Sequence, residues 1–152
     1  NLLHEFDGIT IENSQTHGEM LYARFGLTGI RGEAAAGFPS AFQIGLPRLR
    51  QLLSAGLDYN KAGALTLLSI LSKFYDTNVV YRSSLCRLRE LQLELQALTT
   101  SSPPLEQTDY MPILSCLDDR MIAENISPGG SADMLALVYF LYSADEIFPM
   151  YF

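Results

Sequence analysis

The chain has 152 residues, of which 48% are apolar and 18% charged. That composition suits a buried core and excludes a disordered chain. Its formal charge of -7 excludes general nucleic-acid binding, because a phosphate backbone rewards Lys and Arg. The only cysteines, Cys86 and Cys116, show no CxxC spacing and read as small buried hydrophobes in a reducing compartment rather than as a disulfide or zinc site. No apolar run approaches the roughly 18 residues that span a bilayer. No signal peptide is visible, and the cytoplasm is the expected location.

The chain begins at Asn1 without Met, and residues 1–8, "NLLHEFDG", read as the interior of a longer protein. Residues 8–24 are expected to be helical, and a lone His such as His17 has more structural than catalytic uses. Residues 26–39, "GLTGIRGEAAAGFP", hold four glycines in fourteen positions and predict a structured loop leading into a helix. There Arg31, beside Gly32, can present a planar fork to a phosphate or carboxylate. Glu33 can take a proton or bind a metal; an ordinary loop with a surface ion pair stays open as the alternative. Pro47 kinks the following helix or marks its first turn.

Ala64, Leu67, Leu68, Leu71 and Phe74 recur at helical spacing, with Asp58 or Asn60 as the cap. Asp76, Asn78 and Arg82 of "DTNVVYR" fall at the junction to the next helix, where Asp76 with Asn78 makes a common capping pair. Leu85, Leu88, Leu91, Leu95 and Leu98 form a second stripe, with Arg87, Arg89, Glu90 and Glu94 off it. Residues 99–107, "TTSSPPLEQ", are a loop because Pro-Pro cannot continue a helix. Residues 112–124 and 132–143 complete the helices, Asp118 and Asp119 forming a solvated face, and the tail 145–152 has no periodicity. The expected fold is a single all-α domain over residues 1–152, a compact bundle of about six helices with glycine-rich loops at helix N-termini.

The last of those loops is "NISPGGSAD", residues 125–133. Glycines let backbone amides approach a ligand with no Cβ in the way, and a helix starting near Ser131 leaves its first amides unpaired. Such an end can hold a phosphate, through Ser127, Gly129, Gly130 and Ser131. It can equally be a loop with Ser131 as its cap. Asp133 suits a helix start but repels a phosphate unless magnesium bridges them. No GxxxxGK[ST], HExxH or GxSxG is present.

Taken in order, "RFGLTGIRGEAAAGFPSAFQIGLP", "DTNVVYR" and "CLDDRMIAENISPGGSADMLALVYFL" resemble the C-terminal half of triphosphoribosyl-dephospho-coenzyme A synthases, which serve citrate lyase and, through close relatives, malonate decarboxylase. The resemblance covers most of residues 16–143. It implies an all-helical enzyme that joins ATP to 3'-dephospho-coenzyme A, releases adenine, and makes the prosthetic-group precursor of an acyl carrier subunit. Such chemistry passes through an oxocarbenium-like state. It needs a group that deprotonates the attacking hydroxyl and another that protonates the departing base.

On that reading Glu33 and Asp76 are the catalytic candidates. Arg31, Gly32, Asn78, Arg82, Ser127, Gly129, Gly130 and Ser131 hold phosphate, while Glu33 and Asp133 hold Mg2+. Two departures stand out. Tyr81-Arg82-Ser83-Ser84 takes the place of the family's His-Arg-Gly-Gly. Family members also run to nearly twice this length, with a Thr-His-Lys-Gly stretch that has no counterpart here. The expected partner is therefore the missing N-terminal half or a second copy. The alternative function is a helical fragment or subunit that binds a nucleotide or protein without turnover.

Overall fold

A computed structural model describes residues 2–100 and 104–147. Among the described residues there are eight α-helices and no strand: α1 (His17–Phe25), α2 (Gly29–Ala35), α3 (Leu46–Ser54), α4 (Tyr59–Leu71), α5 (Thr77–Arg82), α6 (Leu85–Thr99), α7 (Met111–Ala123) and α8 (Gly129–Ile147). Short 3-10 turns cover Leu2–Phe6 and Leu105–Gln107, and a π-helical stretch, Ser40–Gly45, runs into α3. No helix is long and apolar enough to cross a membrane.

The all-α expectation holds. Of the first apolar stripe Leu68, Leu71 and Phe74 are buried and Ala64 and Leu67 half-buried; of the second Leu88, Leu91 and Leu95 are buried and Leu85 and Leu98 half-buried. Each fully buried leucine contributes roughly 1.5–3 kcal/mol. α4 is the central rod, packed against α3, α6, α8 and the π-helical stretch. Two glycines set the close approach to α8, Gly45 for the π-helical stretch and Gly63 for α4. A Cβ on Gly45 would strike Val138, and one on Gly63 would strike the Tyr139 hydroxyl.

Boundaries follow the caps. Asp58 caps α4 through the Lys61 amide, with Oδ1 at 3.1 Å. Ser84 caps α6 through the Arg87 amide at 3.0 Å. Pro47 lies in the first turn of α3. The helix expected over residues 8–24 is shorter. Thr16 caps α1, accepting from the Glu19 amide while Glu19 accepts from the Thr16 amide. That reciprocal pair fixes the start, and the amides of Gln15 and then Thr16 hold the Glu19 carboxyl below its usual range. Upstream, Asn13 ties residues 8–13 into a turn by bonding the Thr10 amide and the Gly8 carbonyl.

The glycine segment is not a loop but contains α2, closed by Gly37 at φ +79° and Phe38 at φ +57°. "DTNVVYR" is not a junction but the cap and body of α5. The final helix starts at Gly129, two residues before Ser131, and runs on to Ile147. Parts of the loop expected at 99–107 and of the tail at 145–152 lie outside the described residues. Cys86 and Cys116 are exposed free thiols, not buried ones. Cys86 sits off the leucine stripe of α6, and Cys116 borders a surface groove against α6.

Candidate functional site

The candidate residues gather around α5. Its cap, Asp76, is 0% exposed. Oδ1 accepts from the amides of Asn78 (3.0 Å) and Val79 (3.4 Å). Oδ2 accepts from the Ser131 amide (2.7 Å) and hydroxyl (2.8 Å). One buried carboxylate thus caps two helices, α5 and α8, and the positive ends of both stabilise it. Ser131, also 0% exposed, is fully engaged by this carboxylate. The helix start read as a phosphate cradle holds the protein's own anion at that amide.

The glycines serve this convergence. A Cβ on Gly130 would come to 2.9 Å from the Phe74 ring, and one on Gly129 to 2.7 Å from Asn78 Nδ2. On the other flank, a Cβ on Gly29 would sit 2.8 Å from Thr77 Oγ1, and Gly29 has φ +53°. α2 and α8 therefore lie on either side of the same short helix.

Beside α5 is a cavity of about 320 Å³, bordered by Thr28, Gly32, Glu33, Ser40, Lys73 and Tyr75 among others. Glu33 accepts from the Ser40 hydroxyl (2.6 Å, Oε1) and amide (3.0 Å, Oε2). It holds the start of the π-helical stretch while lining the cavity. Each carboxylate oxygen keeps a second lone pair for a ligand's donor.

Other candidates lie elsewhere. Arg31 turns away from the cavity, pairs with Glu5 at 3.0 Å and lies 5.4 Å from the centroid of the Phe6 ring. Arg82 is exposed and reaches Asn125 Oδ1 at 3.5 Å. Asn78 and Asp133 are exposed, and Ser127 is half-buried. The structure does not bring Arg31 and Ser131 into one cleft. Asp133 is exposed and does not line the cavity that holds Glu33, and the described residues contain no cluster of three His, Cys, Asp or Glu that could hold a metal ion.

"YRSS" has local uses here. Tyr81 stacks on His17 with ring centroids 3.6 Å apart, Ser83 Oγ donates to the Val79 carbonyl at 2.8 Å, and Ser84 caps α6. Reading the sequence alone missed Thr28, Ser40, Lys73 and Tyr75. Lys73 and Tyr75 had a signal in directly preceding the Asp76 cap. Thr28 and Ser40 had none beyond their nearness to glycines.

The family described as ATP:dephospho-CoA triphosphoribosyl transferase matches residues 3–151. The chain belongs to this family. A 2-(5''-triphosphoribosyl)-3'-dephosphocoenzyme-A synthase of Pectobacterium atrosepticum is 44% identical over 133 residues, 88% of this chain and 42% of the relative. A Pectobacterium carotovorum protein named "Probable 2-(5''-triphosphoribosyl)-3'-dephosphocoenzyme-A synthase" is 45% identical over the same shares. A Vibrio cholerae protein with that name is 37% identical over 136 residues, 90% of this chain and 43% of the relative. The chain spans less than half the length of these relatives. No solved structure matches it. Within this transferase family chain, the segments that first suggested the resemblance are those that converge on α5.

Proposed function

We propose that this chain forms one wall of the active site of an enzyme that transfers the triphosphoribosyl group of ATP to 3'-dephospho-coenzyme A and releases adenine. The family description names ATP and dephospho-CoA, and the relatives' names give the product. The observation that carries the reading is the convergence of α2 and α8 on α5 beside a cavity lined by Glu33.

A ribose hydroxyl of 3'-dephospho-coenzyme A attacks the anomeric carbon of the ATP ribose. The new carbon–oxygen bond forms as the bond to adenine breaks, the hydroxyl proton leaves and adenine gains one. Glu33 takes the first proton, a role supported by its position in the cavity lining with lone pairs to spare. Asp76 is a positioning residue: its oxygens are filled by four donors, and it fixes α8 against α5. Further contacts to both substrates are expected from the greater length seen in the relatives.

The test incubates the relative-length protein with ATP and 3'-dephospho-coenzyme A and separates the products. Adenine and a product of the summed mass less adenine are expected, and Glu33→Gln should lower kcat by about 100-fold or more, the usual reach of general-base catalysis, with little change in KM. Release of pyrophosphate or phosphate in place of adenine overturns the reaction. A second reading, nucleotide binding without turnover, is favoured by the use of Ser83 and Ser84 as structural residues; it is the outcome if ATP binds and no adenine appears.

A further inference from the structure

The cavity beside α2 has a graded lining. Ser40 and Phe74 at its floor are buried, Thr28, Gly32 and Glu33 are half-buried, and Lys73 and Tyr75 at its rim are exposed. An acceptor-only carboxylate therefore lies deep, and a cation and an aromatic ring lie at the mouth.

Lys73 is one of four cations of this acidic chain, with Arg24, Arg82 and Arg89, that no carboxylate holds among the described residues, and of the four it alone lines this cavity. Arg31, Arg48, Arg50, Lys61, Arg87 and Arg120 are each held by a carboxylate. Lys73 makes no ion pair among the described residues. With an overall charge of -7, the field around the molecule repels anions, and an unneutralised lysine at a cavity mouth is a local exception.

From this gradient we infer that the cavity takes the sugar and base of a nucleotide and that Lys73 holds its phosphate end outside. This rests on the nucleotide reading above and sets the direction in which the nucleotide enters. The deep Glu33 repels a phosphate but accepts hydrogen bonds from ribose hydroxyls. The exposed face of Tyr75 offers a stacking surface for a base. A volume of about 320 Å³ is at the small end of ligand sites and suits a nucleoside better than an entire nucleoside triphosphate. Lys73 is then a binding residue, in contact with phosphate and not with the reacting carbon.

Calorimetric titration of the purified relative-length protein with ATP, AMP and adenosine tests this, with Lys73→Ala and Lys73→Arg beside the unaltered chain and melting curves to confirm folding. Lys73→Ala should weaken ATP about tenfold or more, as expected for a lost hydrogen bond between charged groups. Adenosine should change less than about twofold on the same scale. Lys73→Arg should restore most of the ATP affinity, and added salt should narrow the gap between ATP and adenosine. Equal losses for ATP and adenosine, no loss for either, or no nucleotide binding by the unaltered protein would each overturn the inference. Binding with the expected pattern but without adenine release supports it and overturns the reaction alone.

Discussion

At the scale of the residue, Asp76 decides more than any other side chain. Asp76→Ala would leave the Ser131 hydroxyl and three backbone amides, two of them buried, without an acceptor. At roughly 1–3 kcal/mol for each group left unsatisfied, less what relaxation recovers, a loss of about 3 kcal/mol is expected. For a domain of this size that lowers the melting temperature by roughly 6–12 °C. Asp76→Asn, which keeps one acceptor oxygen, should lose less. Thermal denaturation followed by circular dichroism measures both, and an Asp76→Ala chain that melts with the wild type would show that the carboxylate does not hold the helices. Half of this role was legible in the sequence, where Asp76 with Asn78 reads as a cap. The other half was not, because Ser131 lies 55 residues away and no local pattern marks a carboxylate that caps a helix so distant. Arg31 failed for a related reason: its partner Glu5 comes from a turn the periodicity did not resolve.

At the scale of the element, the stretch Leu105–Gln107 is anchored to α3 by Arg48, whose guanidinium makes two hydrogen bonds to Glu106 at 3.1 and 2.9 Å. Both side chains are mostly buried, at 16% and 13% exposed. Arg48 therefore holds the Glu106 carboxyl below its usual range, although burial opposes the shift. A carboxyl depressed by folding contributes stability above its unfolded value, about 4.3, and that contribution is lost as the pH falls through the folded value. Urea denaturation should thus show stability falling with acid below about pH 4.3. Glu106→Gln should be less stable at pH 7 and flatter in acid; an unchanged acid limb would mean the pair contributes nothing. Long elements such as α4 and α6 were legible because five apolar positions repeat along each. α2 and α5, with 7 and 6 residues, complete too few turns for a period to register, and Gly or Val dominates their composition. α1 starts later than its spacing predicts because the Thr16–Glu19 capping box fixes its first turn.

At the scale of the whole molecule, the all-helical class follows from composition and spacing, but the arrangement depends on contacts such as Gly45 against Val138 that only the assembled chain reveals. Several large apolar side chains face outward: Leu93 of α6 is 68% exposed, Ile122 of α7 is 69% and Phe140 of α8 is 66%. Isolated exposed apolar residues are ordinary. Here they occur on a chain less than half the length of its relatives. The 152-residue chain alone is expected to self-associate, giving a mass above that of a monomer in light scattering. Ile122→Ser with Phe140→Ser should reduce that mass. A clean monomer at every concentration would mean that these faces need no cover.

The shared carboxylate also constrains how the cavity can open. Because Asp76 closes the front of both α5 and α8, those two helices must travel as a single yoke, and prying them apart would strip a buried anion of its donors. Gly26 and Gly37, which bracket α2, are both left-handed and have open space where a side chain would be. Any widening of the cavity is therefore expected where α2 joins its neighbours, and not by parting α5 from α8.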